Sequence, residues 1–231
     1  VNNFLINLPI LLLSLALLWL PRSWLRFGVV KLPGASRRRR SRATSEPWRK
    51  KVPGDKSLDF RTEFGKLRNY VDFLRAGTGA FFLMGLTGID PCVQLAPGAP
   101  RGYAVGLMAA KSIVFIVAVV LQTARYHERR LTFFPPVFFL AGLSIGLCSP
   151  FAALAAFVLI WAFNPLFASA EGFLPIYGVL TVVFGNWFLG IGDRSSILQG
   201  ALCLLPVLLS LMTRRPLVVF SKRDPSNFAP S

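Results

Sequence analysis

Histidine is nearly absent: His127 is the only one. There are three cysteines, Cys92, Cys148 and Cys203, and no two form a CxxC pair. A zinc ribbon, a thioredoxin-like site and a bis-histidine haem held within the chain are therefore excluded. No HExxH or Walker loop occurs, and no pair of aspartates lies inside an apolar run. No catalytic residue, metal ligand or cofactor is expected from motif. His127 sits in RYHERR beside Glu128. An acid/base pair there is the alternative to the simpler expectation of a solvated loop histidine. Acidic residues are also scarce, 10 against 26 Lys plus Arg, for a net charge of +16.

Hydrophobic sequence is what the chain has in abundance. Of its 231 residues 54% are hydrophobic, with 21 Phe, and mean hydropathy is +0.55. Several windows approach the roughly 17–25 residues needed to cross about 30 Å of hydrocarbon. The expected fold is all-α, a polytopic transmembrane helical bundle of about seven spans. They cover residues 4–20, 76–89, 103–124, 131–148, 151–168, 173–191 and 196–212. Pro135-Pro136 and Pro165 shorten the fourth and fifth segments, which form either two spans or one re-entrant pair. Pro206 falls inside the seventh and removes one backbone bond.

The parts divide by composition. Residues 1–20 are an N-terminal anchor, without the positive n-region or small-x-small site of a cleaved signal peptide. Residues 21–58 are a basic linker with too little apolar surface to fold alone. In residues 59–75, Phe60, Phe64, Leu67, Val71 and Leu74 recur at helical spacing, while Arg61, Arg68 and Arg75 recur every seven residues on another face. That pattern predicts an amphipathic helix lying in the membrane interface, or else packed on the bundle or a cytoplasmic partner. Arg68 and Asp72 stand at pairing distance on it. Residues 76–212 hold the six-segment bundle, and 213–231 are a basic tail.

Charge sets the expected orientation. With the N-terminus outside and the C-terminus cytoplasmic, interior segments carry 23 of the 26 Lys and Arg: 16 on residues 21–75, three on 125–130 and four on 213–231. Only Arg101 and Arg194 fall on exterior loops. Inverting the chain would break the positive-inside rule. Anionic headgroups at the inner face are the expected contacts of Arg37, Arg38, Arg39, Arg40, Arg61, Arg68 and Arg75. Nucleic acid is the weaker alternative, since no recognition fold accompanies the charge. Val1 fits an alternative start codon or a chain that continues upstream. With the compact loops, it points to a bacterial cytoplasmic membrane.

Lys111 is the one charge deep in an apolar segment, eight residues from Tyr103 and so about 12 Å along the helix. A charge there marks a functional site or a snorkelling, structurally paired side chain. Asp90, Asn186 and Gln199 fall in the same outer half of their segments. An outward-opening cavity of these four would hold an anionic or zwitterionic ligand, with Lys111 as counter-charge. The leading function is thus a non-enzymatic one, binding or translocating a small or lipid-like ligand. Alternatives are a scaffold or assembly subunit recruiting a protein partner through residues 31–75, and a lipid-modifying enzyme. The lysine's place on the third span, with none on the seventh, argues against a retinal Schiff base. Gly142–Gly146 and Gly102–Gly106 are both GxxxG spacings, expected to pack within the chain more readily than between chains.

Overall fold

The computed structural model describes residues 3–21, 58, 60–85, 90–127, 130–167, 169–214 and 217. The arginines 37–40, most of the linker and most of the tail lie outside the described residues, as does the Arg61 side chain. The described chain is mostly helical. Three helices are long and apolar enough to cross a membrane: Arg101–Thr123, Ala170–Leu189 and Arg194–Thr213. The chain therefore has the character of a multi-pass membrane protein.

The N-terminal apolar run is not one helix. Strand β1 (Phe4–Ile6) precedes helix α1 (Leu8–Trp19). Asn7 causes the change: it caps α1 through its side chain, and Pro9 follows in the first turn, where a missing N–H costs nothing. The expected helix over 59–75 is also divided. A short α2 (Phe60–Phe64) ends at Gly65, and α3 (Leu67–Met84) then runs on through the second expected span. Phe60 and Phe64 stack at 4.2 Å between centroids, and Phe64 meets Trp161 at 5.1 Å and Phe138 at 5.1 Å. So α2 packs on the bundle. Asn164 Nδ2 donates to the Leu58 carbonyl at 2.7 Å, fixing the approach to it.

Strand β2 (Val93–Leu95) pairs antiparallel with β1, Phe4 opposite Leu95. Helix α4 (Arg101–Thr123) leads into a hairpin of β3 (Ala124–His127) and β4 (Arg130–Phe133). Residues 131–133 were expected to begin a helix; they are extended. Pro135 and Pro136 explain it, since proline pushes the preceding residue away from helical ψ and offers no N–H. Helix α5 (Val137–Leu147) starts directly after them. Its partner α6 (Pro150–Phe163) is capped by Ser149 and closes in a single 3₁₀ turn, Asn164–Leu166. At 11 and 14 residues these two rise about 16 and 21 Å, short of a bilayer core. Helices α7 (Ala170–Leu189) and α8 (Arg194–Thr213) form the last hairpin.

Helix α5 is the centre of the bundle, with nine of its residues buried. It packs most closely on α3, where Gly142 lies over Phe73, Ala76 and Gly77, and Gly146 lies over Ala80. The matched order means the two helices run parallel. Gly178 and Gly200 bring α7 and α8 together in the same way. Small residues allow such approach, and dispersion between tightly fitted backbones holds helices that lipid would otherwise solvate equally well. One end of the bundle carries β1, β2 and the α7–α8 turn. The opposite end carries Leu20, Arg75, Gln122 and Asn164.

The α7–α8 turn is tied by side chains. Asn186 Oδ1 accepts from the Gly192 and Asp193 amides at 2.8 and 3.1 Å. Gly190 and Gly192 take positive φ, +107° and +86°, which only glycine adopts without strain. Asp193 then caps α8, accepting from the Ser196 amide at 2.8 Å and the Ser195 and Ser196 hydroxyls at 2.6 and 2.7 Å. Burial pushes its carboxyl up, but these hydrogen bonds outweigh that and hold it below the usual carboxylate range. Its contribution is present at neutral pH and is lost as pH falls through its lowered pKa. Asp193→Ala is expected to cost about 1 kcal/mol at pH 7. Detergent-phase unfolding of wild type and variant should converge as pH falls below the ordinary carboxylate range; a gap independent of pH would refute the cap's charge.

Candidate ligand site at the β1–β2 end

Lys111 lies midway along α4, where the hydrophobic sequence offers it no charge of opposite sign. It is 8% exposed. Among the described residues no hydrogen bond or ion pair to it is present, and its electrostatic neighbour is the Cys92 thiol. Cys92 is itself buried and held at both backbone atoms. Its amide donates to Phe82 O at 2.8 Å, and its carbonyl accepts from Asn7 N at 2.8 Å. It thus bolts the end of α3 to the β1–α1 junction. Burial pushes the Cys92 thiol up, and the Lys111 ammonium pulls it partly back.

Beside Cys92 an open recess of about 850 Å³ enters the same end of the bundle. Asn7, Asp90, Cys92 and Gln94 supply its polar lining, and Leu5, Ile6 and Leu8 its apolar rim. Asp90 is exposed there. The chain places it by ending α3 at Gly85, whose φ is +83°, and turning back through Pro91 into β2.

The other two expected site residues serve elsewhere. Asn186 staples the α7–α8 turn. Gln199 is fully buried and donates to the α5 carbonyl of Leu140 at 2.9 Å, and its Oε1 has no partner among the described residues. Neither of them lines the recess, nor does Lys111; of the four expected site residues Asp90 alone does. All three cysteines are free and buried, so Cys92 and Cys148 form no bridge. No group of three His, Cys, Asp or Glu side chains comes together among the described residues to hold a metal.

Arg75 is a difference from expectation. It belongs to the basic face expected to meet lipid headgroups, yet it is 5% exposed and sits inside the opposite end of the bundle. Its Nε donates to Asp72 Oδ1 at 3.0 Å, one terminal nitrogen to Gln122 Oε1 at 2.6 Å, and the other to the Leu20 carbonyl. Gln122 Nε2 also donates to Leu20 O at 3.1 Å, and the guanidinium lies 5.3 Å from the Phe139 ring centroid. One side chain thus joins α1, α3, α4 and α5. The i, i+3 spacing of Asp72 and Arg75 was the sequence signal; Gln122 is 47 residues away and gave none. Arg68 is half-buried on α3. Neither a protein-family model, a curated protein nor a solved structure matches this chain.

Proposed function

We propose that this chain is an integral membrane protein of about seven segments that binds or translocates a small or lipid-like ligand at its outer end, without catalysing a reaction. The supporting observation is Lys111, a charge more than nine-tenths buried in an apolar helix, with no hydrogen-bond or ion-pair partner among the described residues and with Cys92, which lines the open recess, as its electrostatic neighbour. An uncompensated ammonium in such a setting is costly, and an anionic group of a ligand would offset the cost. The β1–β2 end is the outer face in this reading, because the Lys and Arg excess belongs to segments leaving the other end. The membrane is the cytoplasmic membrane of a bacterium, and α5 and α6 enter together from the inner side.

Native mass spectrometry of the protein extracted with its surrounding lipid tests this. A specifically retained molecule is expected, and Lys111→Leu should weaken its retention about 10- to 100-fold, the range for losing one charged hydrogen bond. Equal retention by a folded Lys111→Leu variant would sink the reading.

A further inference from the structure

Strand β1 has one open edge. Its ladder with β2 is framed by two bonds: Asn7 N donates to Cys92 O at 2.8 Å, and Ala96 N donates to Asn3 O at 3.0 Å. Leu5 lies opposite Gln94 between them. In an antiparallel ladder alternate residues turn their N–H and C=O toward the partner strand. Residues 3, 5 and 7 therefore face β2, and the backbone groups of Phe4 and Ile6 face away from it. Among the described residues nothing meets those groups, since the sheet has two strands and neither residue makes another backbone bond. Phe4, Leu5 and Ile6 are also exposed. Neither solvent suits such an edge. Water would face three large apolar side chains, and hydrocarbon would leave the amides and carbonyls unsatisfied.

We propose that the open edge of β1 pairs with the β1 edge of a second copy of this chain, antiparallel about a two-fold axis through Leu5. Phe4 then lies opposite Ile6 of the second copy, and Ile6 opposite its Phe4. Each of these pairs exchanges both N–H···O bonds, so the outward groups of β1 are all used. Leu5 meets its own counterpart in the intervening non-hydrogen-bonded pair, with Cα atoms about 4.5 Å apart. The two ladders join into one sheet of order β2–β1–β1–β2, and the interface is isologous.

Charge favours a second copy over an unrelated strand. Asp90 precedes Cys92 and so lies past the Asn7 end of the ladder. Arg101 lies past the other end, where Ala96 bonds Asn3 and the Tyr103 ring meets the Phe4 ring at 5.7 Å between centroids. Both are exposed, and neither has an ion-pair partner among the described residues. Antiparallel pairing brings opposite ends together, so Asp90 of each copy stands beside Arg101 of the other. Parallel pairing would set like charge against like.

Cysteine cross-linking of the full chain in membranes reads the register. Leu5 is 48% exposed, so Leu5→Cys spares the fold, and the three native cysteines are buried. Mild oxidation should convert most of the Leu5→Cys chain to a disulfide-linked dimer. Phe4→Cys should stay at the wild-type background, because two Phe4 positions lie on a diagonal, roughly 8 Å apart and past the reach of a disulfide. Phe4→Cys and Ile6→Cys chains expressed together should cross-link to each other. Asp90→Arg should lower the Leu5→Cys dimer about threefold, the size of an exposed charge pair, and adding Arg101→Asp should restore it. A Phe4→Cys dimer as abundant as the Leu5→Cys dimer would mean chance encounters or a parallel edge, and overturns the proposal. Monomer at every position overturns it too, leaving the edge to be covered by this chain's own segments. Cross-linking of Leu5→Cys to a different polypeptide overturns the second copy as occupant. A Leu5→Cys dimer indifferent to both charge substitutions overturns the Asp90–Arg101 pairing.

Discussion

Arg75→Met is expected to destabilise the bundle by about 3–5 kcal/mol, the cost of leaving a buried charge without its partner. Asp72 is 3% exposed, and its bond to Arg75 is among those that compensate its burial. The same substitution frees the Leu20 carbonyl from Arg75 and leaves Gln122 Oε1 without its donor. Arg75→Lys should recover only part of the loss, because an ammonium cannot reach three acceptors in the fixed directions of a guanidinium fork. The pair Asp72→Leu with Arg75→Met should be milder than Arg75→Met alone, since removing both charges removes the desolvation penalty with the attraction. Unfolding by SDS titration in mixed micelles reads all three. A loss under about 1 kcal/mol for Arg75→Met would place the guanidinium in contact with water or headgroups.

The same residue shows where sequence reading reaches its limit. Helical periodicity over residues 60–74 correctly marks apolar and basic positions. It takes residues 59–75 as one helix, and the heptad of arginines then looks like one continuous face. Gly65 breaks that phase: α2 and α3 are separate helices, so Arg61 and Arg75 do not share an axis. What sends Arg75 inward is Gln122 and Leu20, which are remote in sequence. Periodicity measures one helix against an imagined core; it carries no information about which neighbour supplies an acceptor.

Local chemistry was more legible. Pro136 starts α5, Ser149 and Asp193 cap α6 and α8, and Pro206 sits inside α8, all short-range effects written in neighbouring residues. The helical character and the long apolar helices follow from composition alone. At the site, Lys111 was visible as a charge deep within an apolar run and Asp90 as a charge at the end of one. The recess was not, because β1–β2 pairing joins residues 4–6 to 93–95 and nothing in either triplet announces the other. Asn186 and Gln199 were named for depth along their helices. Depth fixes height in the bundle and leaves the azimuth free, and both side chains turn to hydrogen bonds within the protein instead.

The two GxxxG spacings should separate sharply under the same substitution. Gly142→Ala is expected to cost about 3 kcal/mol, at the upper end of the usual range for overpacking, because the new methyl meets backbone. It would clash with the Phe73 carbonyl and stand 2.8 Å from Ala76 Cβ and 3.0 Å from Gly77 N. Gly146→Ala meets Ala80 Cβ first, at 2.5 Å, with Ala80 C behind it at 2.9 Å. The obstacles differ in kind, so their rescues should differ. Ala80→Gly should restore part of the Gly146→Ala loss by removing the methyl in the way. Ala76→Gly should restore little of the Gly142→Ala loss, since the carbonyl remains. Gly102→Ala and Gly106→Ala add a methyl with nothing within 4 Å, so each should stay within about 0.5 kcal/mol of wild type. Thermal or SDS unfolding of the six variants decides it. Equal losses at Gly102 and Gly142 would mean that α4 packs against something beyond this chain, and would make its exposed small face an interface in the membrane.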